Sequence, residues 1–137
     1  MAFNYIDLFA GCGGLSEGFH KNPQYNFLAA VEWERDPANT LIHRLETKFQ
    51  DKNAKSKVLQ FDIQRTDELF NGWCNDKRYE SHKGLDSLIG KKKVDLIIGG
   101  PPCQAYSLAG RVQDKNGMKE DYRNYLFESY IKVVEKY

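Results

Sequence analysis

The residues best suited to chemistry sit in one stretch, Gly99-Gly100-Pro101-Pro102-Cys103, which follows the apolar run Val-Asp-Leu-Ile-Ile. Two prolines fix φ and remove two backbone donors, so the chain leaves that run stiffly. Cys103 is thereby presented beyond the run, where a thiolate would act as a nucleophile. Cys12 and Cys74 lack such a setting and read as small apolar core residues. Three scattered cysteines offer neither a disulfide framework nor the ligand spacing of a zinc site, so no metal is expected.

Three further groups stand where strands are predicted to end. In Asp-Leu-Phe-Ala-Gly-Cys-Gly-Gly, the glycines let a ligand approach the backbone closely. Gly11 and Gly13 match two positions of the dinucleotide fingerprint, but Ser16 stands at the third. A nicotinamide-dependent reductase is therefore disfavoured, and it would leave Pro-Pro-Cys-Gln unexplained. Glu32 lies about twenty residues on, the distance at which an acidic side chain meets ribose hydroxyls. Trp33 follows, in a position to stack on a purine. Asp62 could accept a hydrogen bond from an adenine amino group. Each has a plainer reading: a bare turn, a surface charge beside a core ring, a helix cap. Together they describe an adenosine pocket.

These groups meet only if the chain brings strand ends together. Residues 3–9 read as a strand, 10–14 as a tight turn and 15–21 as a short helix. Residues 25–32 form a second buried strand. A helix follows, with Asp36 as cap, Pro37 in the first helical position, and Leu41, Ile42, Leu45 and Phe49 at helical spacing. Residues 51–57 read as a polar loop and 58–63 as a third strand. Residues 66–87 suggest one short helix and a surface excursion without assigned chemistry. Residues 94–98 give strand four, 99 to about 120 a long loop, and 121–137 a helix buried along Leu126, Phe127, Tyr130, Val133 and Val134. Strands alternating with helices predict an α/β fold, a doubly wound parallel sheet of order 3-2-1-4. Its ligand crevice would lie between strands 1 and 4, where Ala-Gly-Cys-Gly-Gly and Gly-Gly-Pro-Pro-Cys meet.

Composition bounds the partners. The 137 residues suit one domain, and an apolar fraction of 41% suffices for a core. A net charge of +1 neither requires nor excludes nucleic acid. Lys91-Lys92-Lys93 reads as a solvated strand entrance. The chain opens without the pattern of a secretory signal, and no apolar run approaches about 18 residues, so no membrane partner is expected. A reducing compartment follows as the expectation.

In order, DLFAGCGGLSEGF, VEWE, FDI, GGPPCQAYSLAGR and RNYLF resemble the first five motifs of the cytosine-C5 DNA methyltransferases, across nearly the whole chain. The resemblance implies a Rossmann-like methyltransferase fold with S-adenosylmethionine as donor. Phe9, Gly11, Cys12 and Gly14 would line its methionine and adenosine moieties. Glu32 would hold the ribose, Trp33 would lie against adenine, and Asp62 and Ile63 would meet the adenine edge. Gly100, Pro102 and Leu126 would complete the wall. Cys103 would be the nucleophile, and the Pro101 carbonyl would face the cytosine amino group. Gln104 to Arg111 would form a loop closing over DNA, with Ser107 and Arg123 as phosphate or loop contacts. The substrate would be double-stranded DNA with the cytosine flipped out, since C6 is unreachable inside a duplex.

The family's later motifs, including the Glu-Asn-Val that protonates cytosine N3, have no counterpart here. Residues 1–137 are therefore expected to be the amino-terminal part of a catalytic domain, inactive alone and awaiting a complementing carboxy-terminal half. Strand four would be an exposed edge, inviting self-association. A tRNA cytosine-C5 methyltransferase and a non-catalytic cofactor-binding subunit are the alternatives. A bacterial cytoplasmic or nucleoid location and a restriction-modification role complete the expectation.

Overall fold

The computed structural model describes residues 1–102 and 125–137. At its centre is β1 (Phe3–Leu8), whose last four residues are all buried. A strand covered on both faces needs such an uninterrupted run. β2 (Tyr25–Glu32) pairs on one side of β1 and β4 (Leu96–Gly99) on the other, while β3 (Val58–Gln60) pairs outside β2. The sheet is wholly parallel in the order β3-β2-β1-β4, as expected. Its register sets Leu8 beside both Val31 and Gly99, and Glu32 beside Gln60. All four strands therefore end along one edge.

Helices cover both faces. α1 (Ser16–His20), α2 (Arg35–Thr47) and the single turn α3 (Ala54–Lys57) lie on one face, where Ala38, Leu41, Leu45 and Ala54 pack with Tyr5, Phe27, Ala30, Val58 and Ile98. α4 (Thr66–Asn71), α5 (Gly84–Ile89) and α6 (Leu126–Lys136) lie on the other. There Leu69, Leu85, Ile89, Leu126 and Val133 join Ile6, Leu8, Leu28, Val31, Leu59 and Phe61. Glu17 ties α1 to α2 by accepting from Arg44 at 2.7 Å and from Lys48.

Several boundaries differ from the expectation, each for a physical reason. β1 stops at Leu8 because Phe9 turns to φ +57°. α2 starts at Arg35 with Glu34 as its cap residue. Pro37 thus falls within the first turn, where a missing N–H costs nothing. Asp36 makes no capping bond. The polar loop before β3 contains α3, anchored by Asp51, which accepts the Asn53 N–H at 2.9 Å and pairs with Lys57 at 2.7 Å. β3 ends at Gln60 because Asp62 Oδ1 accepts the Gln64 N–H at 2.9 Å and turns the chain. β4 runs from Leu96 to Gly99, two residues later at its start than expected. The excursion holds two helices rather than one, joined through an antiparallel bridge between Trp73 and His82.

The stripe expected on the last helix is half right. Leu126 and Val133 are buried and Tyr130 partly so, but Phe127 and Val134 are 53% and 48% exposed. These two lie about 100° around the helix from their buried neighbours. Residues 121–124 of that expected helix lie outside the described residues. Cys12 and Cys74 are exposed rather than core, one in the glycine turn and one in the Trp73–His82 hairpin.

Candidate active site

The segments leaving the sheet's carboxyl edge carry the predicted groups. After β1 the chain passes through left-handed backbone at Phe9 (φ +57°), Gly11 (+56°) and Gly13 (+90°). Phe9 can follow this path because its ring stacks parallel to Tyr130 at 6.4 Å. Tyr130 in turn donates its hydroxyl to the Ile97 carbonyl at 3.2 Å, tying α6 to β4. At Gly13 the φ of +90° strains any residue with a side chain, and a Cβ there would sit 2.6 Å from Leu41 Cδ1.

Glu32 is held from two sides. Its Oε2 accepts the Gly11 N–H at 2.6 Å and its Oε1 the Glu34 N–H at 2.9 Å. The glycine turn and the end of β2 are thus joined through one half-buried carboxylate. Trp33 is 49% exposed, and its indole N–H donates to Tyr79 Oη at 3.0 Å. Asp62 is half-buried in its turn, and its carbonyl accepts the Arg65 N–H at 3.1 Å. Cys12, Gly14 and Gly100 are exposed at this edge, and Pro101 and Pro102 half-buried. Ile63 and Leu126 belong to the core, at 5% and 7% exposure. The structure therefore brings Phe9, Gly11, Glu32, Trp33, Asp62 and Gly99–Pro102 to adjoining strand ends. Cys103, Gln104, Ser107, Arg111 and Arg123 lie outside the described residues.

Asp7 carries no role in the sequence expectation, yet it is the most unusual group at the edge. It is 1% exposed, and neither carboxylate oxygen has a hydrogen-bond partner. Burial pushes its pKa up to about 7. The nearby Ser16 hydroxyl restrains that rise, although its own hydrogen bond goes to the Gly13 carbonyl at 3.4 Å, and the charge of Glu32 adds to it. An acidic residue inside an otherwise apolar buried strand was the available signal, because such groups are almost never buried unpaired. Among the described residues no cluster of His, Cys, Asp and Glu could hold a metal, and no helix is long and apolar enough to cross a membrane.

A parallel doubly wound sheet with a glycine turn, a pinned acidic residue and two prolines at its carboxyl edge is a Rossmann-like arrangement, in which ligands bind outside the carboxyl ends of the strands. The sequence profile of the C-5 cytosine-specific DNA methylases matches residues 3–137, and the chain belongs to that family. It is 36% identical to the type II methyltransferase M.Bpa9945I of Bacillus paralicheniformis, over 96% of this chain and 38% of that protein. It is 34% identical to the type II methyltransferase M1.HphI of Haemophilus parahaemolyticus, over 98% of this chain and 30% of that protein. It is also 34% identical to the DNA (cytosine-5)-methyltransferase PliMCI of Paracentrotus lividus, over 96% of this chain and 7% of that protein. The chain thus spans between 7% and 38% of the length of these relatives.

Proposed function

We propose that this chain supplies the cofactor-binding and nucleophile-bearing part of a DNA cytosine-C5 methyltransferase that uses S-adenosylmethionine. The observation that carries this reading is the Gly11–Glu32 hydrogen bond at 2.6 Å, which holds the glycine turn and an acidic strand end together beside the Gly99–Pro102 segment. The donor's charge fits as well: it is cationic at sulfur and at its amino group, and Asp7 is a buried carboxyl without a partner.

In this reading Glu32 binds the ribose hydroxyls, Trp33 lies against adenine, Asp62 and Ile63 meet the adenine edge, and Phe9, Gly11, Cys12 and Gly14 line the methionine and adenosine moieties, with Gly100, Pro102 and Leu126 completing the wall. S-adenosylmethionine supplies an electrophilic methyl group. Cys103, as thiolate, adds to C6 of a flipped cytosine and makes C5 nucleophilic. The Pro101 carbonyl accepts from the cytosine amino group, and Gln104, Ser107, Arg111 and Arg123 contact the DNA or close the loop. After methyl transfer, a base removes the C5 proton and Cys103 leaves, restoring aromaticity. Covalent addition replaces one difficult step with several easier ones.

The acid at cytosine N3 and the reading of base sequence are assigned to the carboxy-terminal part of the catalytic domain, in the same or a second polypeptide, and residues 1–137 alone are inactive. Two observations support that division. β4 pairs only with β1 among the described strands, and α6 exposes Phe127, Ile131 and Val134 at positions i, i+4 and i+7. The setting is a bacterial cytoplasmic restriction-modification system, in keeping with the names of the type II relatives.

The test is trapping on duplex DNA containing 5-fluorocytosine, with labelled S-adenosylmethionine and the carboxy-terminal part of a type II relative. The expected result is a covalent adduct that Cys103→Ser abolishes and that needs both polypeptides. An adduct on tRNA instead would move the substrate. No adduct with both polypeptides present would leave a cofactor-binding module.

A further inference from the structure

The excursion between β3 and α5 carries no chemistry in the sequence expectation, yet it returns a tyrosine to the ligand edge. We propose that Tyr79 is a positioning residue that holds the Trp33 indole in the orientation for stacking on the adenine of the ligand. This rests on the reading that Trp33 faces adenine.

Trp33 follows the last residue of β2 and is half exposed, so an unrestrained indole there would sample several rotamers. Among the described residues, two bonds hold this position, one on the Trp33 backbone and one on the indole itself. The Gln60 side-chain amide donates to the Trp33 carbonyl at 2.8 Å, and the indole N–H donates to Tyr79 Oη at 3.0 Å. Tyr79 is itself fixed, at 6% exposure. Its ring meets Phe61 edge-on at 5.0 Å, and Phe61 stacks on Trp73 at 3.8 Å. Its backbone N–H reaches Asp76 Oδ1 at 3.3 Å, while Asp76 Oδ2 accepts from Arg65 at 2.7 Å.

Arg65 lies over the Phe61 ring at 4.7 Å and donates its backbone N–H to the Asp62 carbonyl at 3.1 Å. One scaffold thus supports both adenine-side residues, Trp33 through its indole and Asp62 through its turn. A side chain already ordered before binding loses less freedom when the ligand arrives, and that difference appears as affinity.

The experiment measures binding of S-adenosylhomocysteine by calorimetry to the chain and to Tyr79→Phe, Trp33→Phe and the double variant. It also follows the indole N–H resonance of Trp33 by NMR. Tyr79→Phe keeps the ring against Phe61 and removes only the acceptor. The expected result is roughly three- to tenfold weaker binding, a displaced Trp33 indole resonance and an unchanged unfolding midpoint. Trp33→Phe, which lacks the indole N–H, loses at least as much, and adding Tyr79→Phe to it costs nothing further. Equal losses from Tyr79→Phe in both backgrounds would overturn the proposal, since the effect would then bypass the indole. So would binding that Trp33→Phe weakens and Tyr79→Phe leaves alone. Absence of binding to the wild-type chain, or binding indifferent to both Trp33→Phe and Glu32→Gln, would remove the reading of the site and this inference with it.

Discussion

The two sides of the ligand edge are built on opposite terms. On the β1 side the backbone is held in left-handed conformations at Phe9, Gly11 and Gly13, and Asp7 is buried without a partner. On the β3 side, Trp73, Tyr79 and the Arg65 guanidinium all pack on the Phe61 ring. Asp76 satisfies two backbone N–H groups and a guanidinium. Strain and unpaired charge persist only where surrounding structure enforces them, and they concentrate where ligands bind. Under the proposed function, the β3 side supplies stability and the β1 side binding.

The comparison is broken most directly on its stable side. Phe61 is fully buried between Trp73, Tyr79 and the Arg65 guanidinium. Phe61→Ala should cost about 3–5 kcal/mol, the usual range for a large core ring. Urea denaturation measures it. A loss below about 1 kcal/mol would show that this scaffold does not hold the β3 edge.

The opposite sign is expected on the binding side. Asp7 titrates near 7 in the folded chain, against an ordinary value of 3.8. Between those values the folded state binds more protons than the unfolded one, so stability falls as pH rises from about 4 to about 7 and stays low above. Asp7→Asn should flatten that fall. It should raise stability at pH 8 by about 2–3 kcal/mol, less than the full shift because the amide is also buried without partners. It should weaken binding of S-adenosylmethionine at the same time. Unfolding curves at pH 5 and pH 8 decide the first point. A parallel pH dependence in wild type and Asp7→Asn would assign the burden to another group.

A smaller effect is expected at Gly13, where the turn demands φ +90° and a Cβ would press on Leu41 Cδ1. Gly13→Ala should destabilise by about 1–3 kcal/mol. Because Leu41 can shift, most of that cost is conformational. In a Leu41→Ala background, Gly13→Ala should therefore cost nearly as much as in the wild type, as urea denaturation of the three variants would show.

The same contrast explains what the sequence made legible. Sheet order and the ligand edge were readable because β1 and β2 are mostly apolar runs followed by glycines or an acidic residue, and parallel strands need their helices between them. The residue types at the edge were readable for the same reason. The β3-side scaffold was not, because residues 66–87 are mixed and polar. Their order comes from Phe61 meeting Trp73 at 3.8 Å and from a bridge between Trp73 and His82, contacts that no local pattern announces. The stripe on α6 was misassigned because its apolar residues occupy two adjoining faces, and only packing decides which one is covered. Asp7 was legible in type, but its lack of a partner is a fact of three dimensions.

Glu32 offers the finest test, since it touches both terms of the comparison. Its two oxygens each accept a backbone N–H, at 2.6 and 2.9 Å, and its charge helps raise the Asp7 pKa. Glu32→Gln leaves one acceptor oxygen for two donors, which should cost about 1 kcal/mol. It also removes the repulsion on Asp7, so the pH at which stability falls should move downward. The two substitutions should therefore be non-additive: in an Asp7→Asn background Glu32→Gln loses its compensating gain and costs more. If the two effects simply add at pH 8, Glu32 acts on the turn alone, and the strain of the β1 side is carried by the backbone rather than by charge.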